Sequence, residues 1–183
     1  NAKGGGERVA LYFSRYNPDY YTYFFDETKT YEELRKLKII AKKNPVTFNF
    51  LRQFLCIKYF ENLNLQPYEY DVYIMTGFYS IFSAKHNHPN IWYTYGPSKT
   101  LLLTRYFKQE KFFRKLTVNL WRKLMLKRNK ECVKKHVDRI IAISKYSAER
   151  TETLYGRKAE VIYLPVDVKK FRNKPAEDFY LTV

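Results

Sequence analysis

Apolar residues along this chain come in short blocks, set between longer stretches in which they recur every three or four positions. The blocks at residues 21–25, 70–75, 90–95, 139–143 and 160–164 are short enough to read as strands. Between them, residues 7–16, 31–37, 49–63, about 101–135 and 146–155 carry helical spacing. Gly156 closes the last of these in the position of a helix C-cap glycine. Short strands alternating with amphipathic helices predict an α/β fold, a parallel sheet with helices on both faces.

The two ends modify this reading. Gly4, Gly5 and Gly6 stand directly before the first helix, and a glycine loop of this kind ordinarily follows a strand. None precedes it here, so the expectation is a domain lacking its first strand. Residues 179–183 read as a fresh strand after a polar, proline-containing connector, 173–178. The predicted division is one domain over residues 1–172, then a linker and the first strand of a second domain over 173–183. The 183 residues suit one α/β domain plus the start of another.

Composition adds a partner class. The 45% hydrophobic content is delivered largely through 18 Tyr and 14 Phe, which argues against disorder. Lys and Arg total 34 against 18 Asp and Glu, a formal charge of +16 that attracts phosphate on nucleic acids, lipid headgroups or diphosphate substrates. Cys56 and Cys132 have neither CxxC spacing nor a framework pattern, which points to a reducing, cytoplasmic compartment. No signal peptide opens the sequence, and no apolar run reaches the ~20 residues of a spanning helix. Any membrane contact is therefore expected at the surface.

Two segments could carry chemistry. Glycines before a helix let the backbone approach an anion and leave free N–H groups at the positive end of the helix dipole. The run is neither GxGxxG nor a Walker loop, and a plain N-terminal tail is the alternative. The second segment is Asp138-Arg139-Ile140-Ile141-Ala142-Ile143-Ser144, followed by Lys145 and the helix at 146–155. A strand ending on Ser144, a good N-cap, aims the next helix's N-terminus beyond the carboxyl edge of the sheet, where such sheets bind ligands. An ordinary βαβ unit with a serine cap is the alternative there.

Together these segments resemble the glycosyltransferase family-four enzymes. The family's GG-x-ER loop is matched by GGGERVA at residues 4–10. Its run from the N-terminal domain to the linker is matched by DRIIAISKYSAERTETLYGRKAEVIYLPVDVKKF at residues 138–171. The resemblance implies the N-terminal, acceptor-side domain of a GT-B fold, a Rossmann-like parallel sheet with helices on both faces. It implies a retaining hexosyl transfer, of mannosyl or glucosyl type, from a nucleotide sugar to a lipid-linked or polysaccharide acceptor. By the resemblance Gly4, Gly5 and Gly6 face the donor phosphates, while Glu7 caps the helix. The stretch Ile91-Trp92-Tyr93-Thr94-Tyr95-Gly96-Pro97-Ser98-Lys99 resembles the family's strand and YxHxP turn, with Tyr95 where histidine is frequent. Tyr95, Gly96, Ser98, Lys99, Thr76, Gly77, Ser144 and Lys145 are the acceptor-side candidates. A tyrosine hydroxyl can donate to a sugar or phosphate oxygen; alternatively Tyr95 is a strand-end aromatic packed under a helix. The catalytic residues remain unknown, because in the family they belong to the C-terminal domain. Residues 1–183 alone are then expected to transfer no sugar. The scheme needs neither metal nor cofactor.

The long basic stretch is read separately. Phe112, Phe113, Leu116, Leu120 and Leu124 form one apolar stripe, assigned to the core. Trp121, Val118, Met125 and Leu126 fall among the charges. Arg114, Lys115, Trp121, Arg122, Lys123 and Met125 are accordingly predicted to face an anionic membrane, with the protein peripheral at its cytoplasmic side. His86 and His88, at i and i+2 without a carboxylate or cysteine partner, make a poor metal site. The rival class is a basic nucleic-acid-binding module, for which the aromatics are too dispersed; another alternative is a non-catalytic scaffold of the same fold. No nucleic-acid partner is expected.

Overall fold

The computed structural model describes residues 4–42, 49–97, 112–166 and Val168, with the backbone alone for residues 49–50 and 112–118. The elements in order are α1 (Gly5–Phe13), β1 (Tyr20–Thr22), α2 (Glu32–Arg35), β2 (Ile39–Ala41), α3 (Asn49–Glu61), β3 (Tyr73–Thr76), β4 (Asn90–Thr94), α4 (Phe112–His136), β5 (Arg139–Ala142), α5 (Lys145–Tyr155) and β6 (Glu160–Val161). Among the described residues all pairings are parallel. β1 and β2 form a two-stranded sheet, and β3-β4-β5-β6 form a four-stranded one in sequence order. The architecture is mixed α/β, with parallel strands in two sheets and helices around them, consistent with a Rossmann-like fold.

Inner strand β4 organises the larger sheet, and alternation sends its side chains to both faces. Trp92 packs its ring edge against Tyr155 of α5, with centroids 5.1 Å apart. Its neighbour Tyr93 points the other way and meets Phe13 of α1 at 5.8 Å. Helices thus reach both faces of the sheet at β4, as the sequence pattern predicts. The main core joins Ile57 and Phe60 of α3, Met75 of β3, Met125 and Val133 of α4, Ile140 of β5, and Ile81 and Phe82. The last two lie on a buried 3-10 turn, Ser80–Lys85, between β3 and β4.

The amino ends of the two sheets are tied by polar contacts. Tyr70, just before β3, donates to Asp19 beside β1, and the Tyr21 and Tyr70 hydroxyls lie 3.0 Å apart. Lys38 beside β2 completes the set on Asp19 at 2.7 Å, holding that carboxyl below its ordinary range, with Tyr70 contributing.

Several boundaries differ from the pattern's expectation. The 31–37 helix contracts to the single turn of α2, and β2 occupies a site read as no element. Three apolar residues between lysines are too few for a period to show. The 3-10 turn was equally unreadable, and the 160–164 strand is only two residues long. The predicted strand at 179–183, its connector and residues 101–111 lie outside the described residues.

Candidate functional site

The carboxyl ends of β3, β4 and β5 collect most of the predicted site. α1 is N-capped by Gly4, whose N–H donates to the Glu7 carboxylate at 3.1 Å. Glu7 is thereby spent on the helix end, the capping role expected of it. Gly6 lies against the strand end: a methyl group there would sit 3.8 Å from the Tyr95 hydroxyl. That hydroxyl is shut off from solvent yet makes no hydrogen bond among the described residues. Burial, then the Tyr93 and Glu7 charges, push its pKa up to about 12, so Tyr95 keeps its proton throughout the physiological range.

Gly96 follows with φ +100°, a conformation that side chains on L-residues rarely adopt. A Cβ there would lie 3.5 Å from the Ser147 hydroxyl of α5, and Ser147 itself donates to the Tyr95 carbonyl at 3.1 Å. Ser144 is the N-cap of α5: its hydroxyl accepts the Ser147 N–H at 3.1 Å and donates to the Ser147 hydroxyl at 3.1 Å. Lys145 is exposed in the first turn. Thr76 and Gly77 end β3 on the same edge, where the Thr76 carbonyl accepts from Ser80 and the Gly77 carbonyl accepts from the Trp92 indole.

The glycine loop, Tyr95, Gly96 and the Ser144 cap thus come together, Thr76 and Gly77 stand at the next strand, and Ser98 and Lys99 lie outside the described residues. Ser147 was missed. Its signal was the Ser-x-x-Ser spacing, which puts two hydroxyls on one turn at a helix start.

Much of the 138–171 run is architectural. Asp138 accepts from His88 at 2.9 Å and from the Asn90 N–H at 2.8 Å, while Asn90 accepts the Asp138 N–H at 3.0 Å. Partial burial works against ionisation of Asp138, but these two bonds, with the His88 and Arg157 charges, hold its pKa below the ordinary value. The Tyr155 hydroxyl donates to buried Asn129 at 2.7 Å, and Gly156, at φ +67°, ends α5. Arg157 then donates to the carbonyls of Val133, Val137 and Asp138, satisfying the C-terminal end of α4. A shallow groove among Asp138, Arg139, Arg157, Lys158 and Glu160 opens at the sheet's amino edge, away from the glycine loop. His88 serves Asp138, and among the described residues no group of three His, Cys, Asp or Glu side chains could hold a metal.

The basic helix requires a correction. Met125 is not presented outward: it is 2% exposed and lies in the core. Trp121 also packs against the core, its ring 6.3 Å from Phe54, and Arg122 is half-buried. Of the side chains assigned to the membrane face, only Lys123 is exposed, while those of Arg114 and Lys115 lie outside the described residues. Of the stripe assigned to the core, Leu120 and Leu124 face outward instead, 69% and 49% exposed, while the side chains of Phe112, Phe113 and Leu116 lie outside the described residues. Two apolar rows run along α4, and the leucine row ends in Lys127 and Glu131. The other continues through Asn129, Cys132 and Val133 and finds Tyr155 and Ile81 as partners. Among the described residues no helix is long and apolar enough to cross a membrane.

No family model matches the chain, and no curated protein or solved structure matches it.

Proposed function

We propose that these residues form the acceptor-side half of a retaining glycosyltransferase, acting on a nucleotide sugar and a lipid-linked or polysaccharide acceptor. One observation carries the reading beyond resemblance: the solvent-shielded Tyr95 hydroxyl, unpartnered among the described residues, beside Gly6 at the edge where the N-termini of α1 and α5 lie. A buried hydroxyl without a partner is costly unless something arrives to accept from it. Sugar hydroxyl and phosphate oxygens are such acceptors. Two helix N-termini at the same edge favour negative charge, which suits a diphosphate. Tyr95 would hold and orient the substrate as a neutral donor, with no protein nucleophile assigned. Charge developing on the leaving diphosphate would be stabilised electrostatically.

The test is sugar transfer by the native polypeptide that contains these residues. It is supplied in turn with uridine- and guanosine-diphosphate hexoses and with a polyprenyl-phosphate-linked or glycan acceptor. The expected product retains the donor's anomeric configuration. Tyr95→Phe is expected to lower kcat/KM by roughly tenfold, the worth of one good hydrogen bond, without lowering Tm, because no bond within the fold is lost. Absence of transfer with every donor would overturn the activity. An unchanged kcat/KM in the Phe variant would remove Tyr95 from it.

A further inference from the structure

Helix α4 presents to solvent a row that neither the fold nor the site at the carboxyl edge uses. Leu120, Lys123, Lys127, Lys130 and Lys134 follow one another at intervals of three and four, so they lie along one side of the helix over about 20 Å. All five are exposed, Leu120 to 69%. Leu124, 49% exposed, flanks the row, and Glu131 is the only acid among the exposed residues from Leu120 to Lys135. The opposite side of the helix is fully committed: Met125, Asn129, Cys132 and Val133 are buried, and Arg128 is engaged with Glu61.

We infer that this row is a docking surface for the headgroup layer of an anionic bilayer, with α4 lying in the plane of the membrane. Charge complementarity selects an anionic partner, and the chain's net charge of +16 acts in the same sense. The leucines select the kind. Two large apolar side chains beside the lysines find a place beneath a headgroup layer, where lysine stems stretch upward and leucines insert. A nucleic-acid backbone offers them nothing, and the row carries no aromatic ring on which a base could stack. The inference goes beyond the proposed activity and does not depend on it.

Co-sedimentation of the native polypeptide with vesicles tests it. One set is phosphatidylcholine alone, and the other contains about one-third phosphatidylglycerol. Binding is expected to the anionic set at least tenfold more tightly, each lysine being worth about fivefold near a charged surface. Lys127→Glu with Lys130→Glu should cost more than tenfold, since each change removes one attraction and adds a repulsion. Leu120→Ser with Leu124→Ser should weaken binding severalfold at unchanged charge. Both pairs are exposed, so their Tm should match that of the parent, and Tm is recorded for each. Equal binding to both vesicle sets would overturn the inference, as would anionic binding indifferent to both double variants. Tight binding of a duplex oligonucleotide that the lysine pair abolishes and the leucine pair leaves intact, without vesicle binding, would reassign the surface to nucleic acid.

Discussion

At the scale of single residues, the carboxyl edge is built by positions whose alternatives are excluded for different reasons. Tyr95 sits where only a neutral hydroxyl can persist, because burial opposes its ionisation. Gly96 is fixed by its backbone angle of +100°, while Ser147, 3.5 Å from any Cβ added there, is at ordinary contact distance. A side chain must therefore accept backbone strain without a clash against α5. Gly96→Ala is expected to destabilise the fold by about 1–3 kcal/mol in urea denaturation, the usual cost of a non-glycine residue held at positive φ. Gly5 provides the contrast, since nothing lies within 4 Å of a Cβ placed there. Gly5→Ala should change stability little, and equal losses at the two positions would mean that the turn at Gly96 is not the constraint. Much of this edge was legible in the sequence. A serine before a helical run and glycines before another are local signals, whereas the Tyr95 to Gly6 approach joins residues 89 apart and is made only by α1 folding onto the sheet.

At the scale of elements, legibility followed the range of the forces. β4 and β5 were visible as apolar blocks because a strand in a covered parallel sheet is apolar on both sides, and edge strand β3 was visible because it stays apolar even on its open face, where Ile74 is 42% exposed. The face of α4 was not visible. Its leucine row and its Trp121-Met125 row are both apolar, and the choice between them is made by partners far away in sequence. Neighbouring positions should therefore respond in opposite ways. Met125→Ala opens a cavity beneath a fully covered side chain and is expected to cost about 2–5 kcal/mol. Leu124→Ala removes a half-exposed side chain and should stay within about 0.5 kcal/mol. Chemical denaturation of the two variants decides it; similar losses would mean that the helix is rotated from the orientation described.

At the scale of the whole molecule, the positive charge that suits phosphate partners also presses on the fold. Self-repulsion of a +16 chain grows with every proton added. His136, at the C-terminal end of α4, is where this enters the folded state: burial first, then the charges of His88, Lys135, Lys85 and His86, lower its pKa from the ordinary 6.5. A histidine whose folded pKa is depressed contributes stability that is complete above its unfolded value and is lost as pH falls through the folded one. The protein is therefore expected to lose Tm on going from about pH 7.5 to about pH 5, where protonation favours the unfolded chain. His136→Gln cannot gain that proton, so its Tm should fall less over the same interval, and added salt should narrow the parent's fall by screening the surrounding lysines. A parallel decline in parent and variant would place the acid sensitivity of that interval in another group, and Asp138 is not that group. Its carboxyl, held low by His88 and the Asn90 amide, releases its contribution only at the more acidic end, as pH falls through its own depressed pKa. The two origins are separable by where along the pH axis Tm begins to drop.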